Sequence, residues 1–256
     1  MSWLSPEIEI TIGDVTRTGA VSSLIVDAGH KKAIATACIE LSNVQFEWGE
    51  IEPGEPLVIE WGFKGDTLHP LFRGTVEMAH NEEVLKVVST CLCQQLVNTR
   101  VTRTYVNERA SVIVAHLVDP LSFEGTDIEL CDTELDKLPL ENDTVLAALK
   151  WIDRRLGLNR SVWCDQEGVF HWRTPDEDQD ASASYVHGED VLSWKTTVTG
   201  RKKLVTLRSD MWHSQIVEVS KADQTIPTRY FVERVRHLSG GKIGMRSEAW
   251  LREVSS

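Results

Sequence analysis

The segments Pro56-Leu-Val-Ile-Glu-Trp61 and Leu71-Phe-Arg-Gly-Thr-Val-Glu-Met78 decide the fold class of this chain. Both are runs of strand length, and the turn pair Pro53-Gly54 stands just before the first. Further β-rich runs fill most of residues 1–100, at 8–12, 22–27, 37–41 and 85–93, with turn residues between them. Short strands at this spacing predict an antiparallel sandwich or barrel.

The last third of the chain again consists of short β-rich runs, with candidate strands at 191–198, 203–207, 215–219, 229–236 and 245–251. The two β regions share intervals between apolar residues. On this basis Val58, Phe72, Val76 and Leu85 of the first region correspond to Val217, Phe231, Val235 and Met245 of the second. One small barrel used twice would bury both sets in equivalent places, although two unrelated β-domains also share some spacings.

Residues 101–180 differ from both flanks because they contain helical patterns. One helix is predicted at about 108–118, ahead of Pro120, and a second follows the capping residues 142–144 and ends before Gly157. Residues 161–172, with Gly168 in the turn, predict a hairpin. The acidic stretch 176–184 is the best linker candidate.

These sequence patterns predict a mostly β (α+β) protein with three parts. The first β-domain covers residues 1–100, a small α/β domain with the acidic linker covers 101–180, and the second β-domain covers 181–256.

Composition narrows the class of function. The chain has 256 residues, 27 basic and 39 acidic side chains, and a net charge of −12. An acidic protein is not expected to hold nucleic acid through its phosphates. Residues 1–7 do not resemble a signal peptide, and no apolar run approaches a membrane helix, so synthesis in a cytoplasm without a membrane anchor is expected.

No cofactor or metal is predicted. The five cysteines lack framework or ligand spacing and are interpreted as small buried apolar residues. The eight histidines show no metal-binding spacing either. The run Asp176-x-Asp178-x-Asp180 begins like a calcium loop, but Ala181 and His187 stand where glycine and glutamate are needed, which favours a solvated linker.

No catalytic motif appears, so no catalytic residue is predicted and the chain is not expected to be an enzyme. The 39 acidic residues leave chance carboxylate pairs open. Asp165 and Glu167 flank a hairpin turn, where carboxylates are common. Trp61 and Trp212, near the ends of the repeated β units, are candidate interface residues, since aromatic side chains supply much of the contact energy at interfaces.

Three stretches resemble the baseplate hub proteins of contractile-tailed phages, including the late control protein D group and the N-terminal half of type VI secretion spike proteins. Residues 52–60 followed by Phe72-Arg-Gly-Thr-Val76 resemble the first tube-like domain of that family. Residues 143–157 with 165–168 resemble its central helix and hairpin, and residues 229–241 resemble the closing strands of its second tube-like domain. One departure is Met211-Trp-His-Ser-Gln215, where the family often has a second Pro-Gly.

The resemblance implies a homotrimer whose six barrels form a ring between the tail tube and a separate spike protein, located at the tail tip of a virion. The expected partners are further copies of the chain, the spike, the tail tube or distal tail protein, and also the tape measure and baseplate wedge proteins. DNA would pass through the ring, and an acidic lumen would not retain it. The alternatives are a hub of a non-contractile tail or of an injection particle, a tail-associated cell-wall hydrolase, and a ligand-binding barrel.

Overall fold

A computed structural model describes residues 6–42, 48–65, 67–81, 84–208, 210–221, 227–240 and 244–254. The prediction of a mostly β protein is confirmed. The strands are β1 (Pro6–Ile12), β2 (Val15–Thr18), β3 (Val21–Gly29), β4 (Lys32–Leu41), β5 (Pro56–Phe63), β6 (His69–Asn81), β7 (Leu85–Cys91), β8 (Arg100–Arg109), β9 (Gly125–Ile128), β10 (Glu134–Thr144), β11 (Ser161–Cys164), β12 (Val169–Arg173), β13 (Ala183–His187), β14 (Val191–Thr196), β15 (Lys202–Thr206), β16 (Ile216–Lys221), β17 (Thr228–Gly240) and β18 (Arg246–Glu253). The helices are α1 (Gln95–Asn98), α2 (Ala110–Val118) and α3 (Val145–Leu156).

Thirteen strands from both β regions form one continuous sheet, in the order β16-β13-β14-β15-β18-β17-β3-β4-β7-β6-β5-β1-β2. A second contact, between β16 and β17, closes the last region into a six-stranded barrel. Its interior is apolar and includes Tyr185, Leu204, Val217, Val232 and Leu251, each buried. The remaining strands make two small sheets, β8 with β10 and β9 with β12 and β11.

The internal repeat is visible in the strand order. The series β3-β4-β7-β6-β5 in the first region matches β14-β15-β18-β17-β16 in the second. The irregularities of the pairing match as well. The β3–β4 pair changes register between Val21 and Ser23, and the β14–β15 pair does so between Val191 and Ser193. Two five-stranded units of one design therefore make up most of the sheet.

The long strands of the two units carry a second shared irregularity. The register with the following strand shifts between Val76 and Met78 in β6 and between Val232 and Arg234 in β17. Such bulges bend a strand and re-aim its side chains, so they are useful markers of equivalent positions.

The turns that enter β5 and β16 are also the same structure. In the first unit the Gly54 amide donates to the Val76 carbonyl at 2.7 Å and the Val76 amide to the Glu55 carbonyl at 2.8 Å. In the second unit Ser214, Val232 and Gln215 make the corresponding bonds at 2.8 and 2.9 Å. Gly54 and Ser214 both have positive φ, 95° and 66°. Residues 211–215, which lack the Pro-Gly pair, thus form the same turn, with Ser214 in the left-handed conformation.

The residue equivalences expected from sequence intervals are wrong in detail. The shared turns and bulges make Leu57 equivalent to Val217, Val76 to Val232, and Leu85 to Ser247. The burial pattern agrees, because Leu57 and Val217 are both fully buried whereas Val58 is only half-buried. From Leu57 to Val76 the first unit takes 76 − 57 = 19 residues, whereas the second unit takes 232 − 217 = 15 from Val217 to Val232, so equal intervals aligned positions that are not equivalent.

The middle region forms its two predicted helices. The Thr144 side chain caps α3 by accepting from the Ala147 amide at 3.1 Å, and Gly157 ends it in the left-handed conformation. The hairpin of β11 and β12 also forms, with Gly168 at a φ of 89°. The sequence did not predict the long β8–β10 pair or β9, which runs parallel to β12. No helix among the described residues has the length and apolar character needed to cross a bilayer.

The division at residues 100 and 180 stays a prediction. One buried apolar cluster runs without a break from the first β region into the middle region. The acidic stretch is fastened to the second barrel, because Glu177 accepts two hydrogen bonds from Arg252, at 2.7 and 3.2 Å. Arg229 on β17 adds bonds to the Glu177 and Gln179 carbonyls.

Candidate functional site

The two repeated units are joined edge to edge by β3 and β17. The strands pair antiparallel from Arg234 opposite Gly29 to Gly240 opposite Ser23. Gly29 fits because a Cβ there would lie 3.3 Å from the Glu233 carbonyl oxygen and 3.6 Å from Arg234 side-chain atoms. The unit-to-unit joint is therefore made by main-chain hydrogen bonding, which depends on strand edges and not on a catalytic side chain.

Charged side chains reinforce this joint. The Asp27 carboxylate accepts from Arg234 at 2.8 and 2.5 Å and from Arg236 at 3.1 Å. Burial raises the pKa of the Asp27 carboxyl, but the two arginines outweigh burial and bring that pKa below its ordinary value. The guanidinium of Arg234 also lies 5.0 Å from the ring centroid of Trp250 on β18. A bidentate carboxylate–arginine pair fixes the register of the two strands.

A column of six aromatic rings marks the place where all three regions meet. In contact order the rings belong to His171, Trp163, His213, Trp212, His237 and Trp61. Centroids of neighbouring rings are between 4.8 and 6.2 Å apart. The column begins on β12 and β11, passes through the turn before β16 and through β17, and ends on β5. It ties the middle region and both β units together.

The column has a charged end and a neutral interior. His171 holds Asp127 at 2.9 Å through one ring nitrogen and Asp165 at 3.0 Å through the other. Burial lowers the pKa of His171, but these two carboxylates outweigh burial and bring that pKa above its ordinary value. Complete burial lowers the pKa of His213 and of His237 to about 3. Both interior imidazoles are therefore neutral at neutral pH.

The candidate interface residues Trp61 and Trp212 lie in this column. Their exposed fractions are 0% and 3%. Both contact His237, Trp61 edge-on at 5.0 Å and Trp212 in a stacked arrangement at 5.9 Å. They join the regions of one chain and offer little surface to a second chain, so their contact with another subunit stays a prediction that the single chain does not support.

Each unit also has a strand edge that is open within the described residues. In the second unit, residues 234–240 of β17 pair with β3. The matching stretch of β6, residues 78–81, pairs with β7 on one side and with no strand on the other. In the same way β14, which matches β3, pairs with β15, and on its other side only Val191 contacts β13. Open edges invite pairing with another chain.

The other residues considered from sequence do not assemble a reaction centre. Asp165 is engaged by His171 and by the backbone amides of Glu167 and Val169, so its carboxylate is not free. Four cysteines are buried and Cys38 is exposed, all as free thiols. No arrangement of three or more His, Cys, Asp or Glu side chains suited to a metal ion occurs in the described part of the chain.

Comparison with solved structures identifies proteins that share this fold. The 43 kDa tail protein of prophage MuSo2 from Shewanella oneidensis superposes with a TM-score of 0.71 at 11% identity, over 96% of this chain and 97% of that one. The tail protein from Neisseria meningitidis MC58 gives 0.72 at 11% identity, over 98% and 97%. The chain has the fold of phage tail proteins.

A third similar structure extends the comparison to secretion systems. The Escherichia coli c3393 protein, a type VI secretion component described as structurally similar to the T4 bacteriophage tail proteins gp27 and gp5, gives a TM-score of 0.67 at 10% identity. The match covers 96% of this chain and 77% of that one. No protein-family model and no curated protein sequence matches the chain.

Proposed function

We propose that the chain is a structural hub subunit of a phage-type tail, which assembles as a three-chain ring of six β units between the tail tube and a spike protein. The observation that carries this proposal is the β3–β17 joint together with the two open edges. The chain already contains one unit-to-unit contact, and its β6 and β14 edges are the two halves of a second one.

Head-to-tail contacts close into a ring when the rotation between units permits it. In the proposed ring, the open edge of β6 in one chain receives β14 of the next, as β17 receives β3 within the chain. Strand addition of this kind supplies main-chain hydrogen bonds without a new pocket. Such a ring alternates first and second units, so three chains present six similar units to a six-fold tube and three identical positions to a spike.

The chemistry of the described residues supports a passive role. Asp165 is held by hydrogen bonds, and no catalytic motif is present. The net charge of −12 suits a lumen through which DNA slides without being retained. The proposed location is therefore the tail tip of a virion or of a related injection particle, with the tube and the spike as neighbours.

The test removes one main-chain donor from the open edge. The Thr197 amide donates to the Arg201 carbonyl at 2.7 Å, so the Thr196 amide points to the opposite, open side of β14. Thr196→Pro should therefore leave the chain folded but block strand addition. Thr196→Val keeps the amide and is the matched control.

Light scattering and negative-stain imaging of the purified chain give the readout. The expected result is a trimeric ring for the natural chain and for Thr196→Val, and a folded monomer for Thr196→Pro, as judged by circular dichroism. A natural chain that stays monomeric at high concentration, or a Thr196→Pro ring, contradicts the proposal.

A further inference from the structure

A basic cleft lies where the three regions of the chain meet, on a protein whose net charge is −12. Its volume is about 510 Å³, within the ~300–1,000 Å³ range of ligand sites. Residues of the β3–β4 turn, of α3 and of the second barrel line it. Six lining side chains are cationic: Lys31, Lys150, Arg154, Arg160, Arg201 and Arg252.

Half of these cations are already paired. Arg201 donates to Glu233 at 2.7 and 3.1 Å, and Arg252 donates twice to Glu177. Arg160 pairs with Glu129 at 3.3 Å and lies 4.0 Å from the ring centroid of Trp172. These contacts cancel the charge of two of the three carboxylates that line the cleft.

The other three cations, Lys31, Lys150 and Arg154, are exposed and make no ion pair or hydrogen bond with the described residues. The third lining carboxylate, Asp153, accepts a hydrogen bond from the Arg160 amide at 2.6 Å. Lys150 and Arg154 are four residues apart on α3, so they project from the same helix face. The amide leaves the negative charge of Asp153 in place, so three unpaired cations and one unpaired carboxylate face the opening, with a net charge of +2.

We propose that this cleft binds a short acidic peptide segment of a partner protein. Long, exposed lysine and arginine side chains can reach carboxylates that are spread along a peptide. A compact phosphate group is usually held by backbone amides at a helix N-terminus, whereas α3 turns its C-terminal half, with Lys150 and Arg154, toward this cleft. A long nucleic acid would meet the remaining acidic surface, since the chain as a whole is strongly negative.

Binding in the cleft would also connect the three regions of the chain. His30 and Lys31 come from the first unit, Lys150 and Arg154 from the middle region, and Arg201 from the second unit. A peptide that contacts all of them would hold the three regions in one arrangement. No residue of β6 or β14 lines the cleft, so peptide binding can be tested whether or not the ring forms.

The experiment measures binding of a fluorescein-labelled hexaglutamate peptide to the full chain by fluorescence anisotropy, at low and at moderate salt. The test variant combines Lys31→Gln, Lys150→Gln and Arg154→Gln. The control variant combines Lys64→Gln, Lys137→Gln and Arg155→Gln, which removes the same charge from exposed positions outside the cleft. Circular dichroism confirms that both variants fold.

The expected result is saturable binding of hexaglutamate that weakens at least tenfold in the test variant and less than twofold in the control. No binding by the natural chain, or equal weakening in both variants, overturns the proposal. A labelled hexathymidylate that binds more tightly than hexaglutamate and with the same dependence on the cleft overturns it in favour of a nucleic-acid ligand.

Discussion

Gly74 lies where β6 crosses β7 with almost no space between them. A Cβ at this position would be 2.1 Å from the Thr90 carbonyl oxygen and 2.8 Å from the Phe72 ring. Backbone cannot yield as a flexible side chain does, so the residue is required for space and not for an unusual φ. This is the physical reason for the glycine in Phe72-Arg-Gly-Thr-Val76, the motif that pointed to the fold.

Gly74→Ala is expected to lower the free energy of unfolding by roughly 3 kcal/mol or more, because overpacking against backbone forces the two strands apart. Urea unfolding followed by circular dichroism measures the loss. Gly125→Ala is the matched control, since a Cβ there makes only ordinary contacts with Val169 at 3.6 and 3.7 Å. Equal stability of the two variants would show that β6 and β7 separate without strain.

At the scale of elements, the β3–β17 joint depends on a carboxylate between two arginines. Asp27→Asn removes the charge but keeps the shape, and should lower the free energy of unfolding by about 2 kcal/mol at neutral pH, within the range for hydrogen bonds to charged groups. The pKa of Asp27 is lowered in the folded chain, so its contribution is full above the unfolded value and is lost as pH falls through the folded value.

Urea unfolding of Asp27→Asn and of the natural chain at pH 7 and in acid tests this. The difference between them should shrink in acid. Asp14→Asn, on an exposed turn residue, should match the natural chain at both pH values. A difference that is independent of pH would assign the effect of Asp27→Asn to packing.

The elements that sequence could predict are those set by local signals. Residues 145–156 carry a cap, an apolar period and a terminal glycine, and they form α3 as expected. The sequence did not predict β8 and β10, because in the described structure they form a two-stranded sheet and most of their residues are exposed. Exposure on both faces weakens the alternation of apolar and polar residues that marks a strand. The β3–β17 joint and the ring column depend on contacts between distant parts of the chain, which no local pattern reports.

At the scale of the whole molecule, the thirteen-stranded sheet and the middle region come together at one meeting point. The ring column, the β3–β17 joint and the basic cleft all lie where the first unit, the middle region and the second unit come together. Residues 211–215, which stand where the hub family often has a second Pro-Gly, lie at this meeting point. Trp212 and His213 take part in the ring column, and Ser214 forms the turn before β16 with a positive φ. Sequence intervals detected the repeat, but only the pairing shows that its two units share an edge.

Acid should therefore open the molecule at this meeting point. The pKa of His213 and of His237 is about 3 in the folded chain, against ~6.5 in an unfolded chain. A lowered folded pKa means that the unfolded state binds more protons, so stability is full above pH ~6.5 and declines as pH falls toward ~3. Each histidine contributes up to about 1.4 kcal/mol per pH unit in that window. His171 has a raised pKa and acts in the opposite sense, because its contribution is present in acid and is lost as pH rises.

Urea unfolding between pH 7 and pH 4 measures this slope. The double variant His213→Gln and His237→Gln should be less stable at pH 7, because it disrupts the column, and its stability should fall less steeply with acid. His187→Gln, on an exposed residue at the end of β13, should keep the full slope. If the double variant keeps the natural slope, other groups carry the acid sensitivity, and the two buried imidazoles take up protons without separating the three regions.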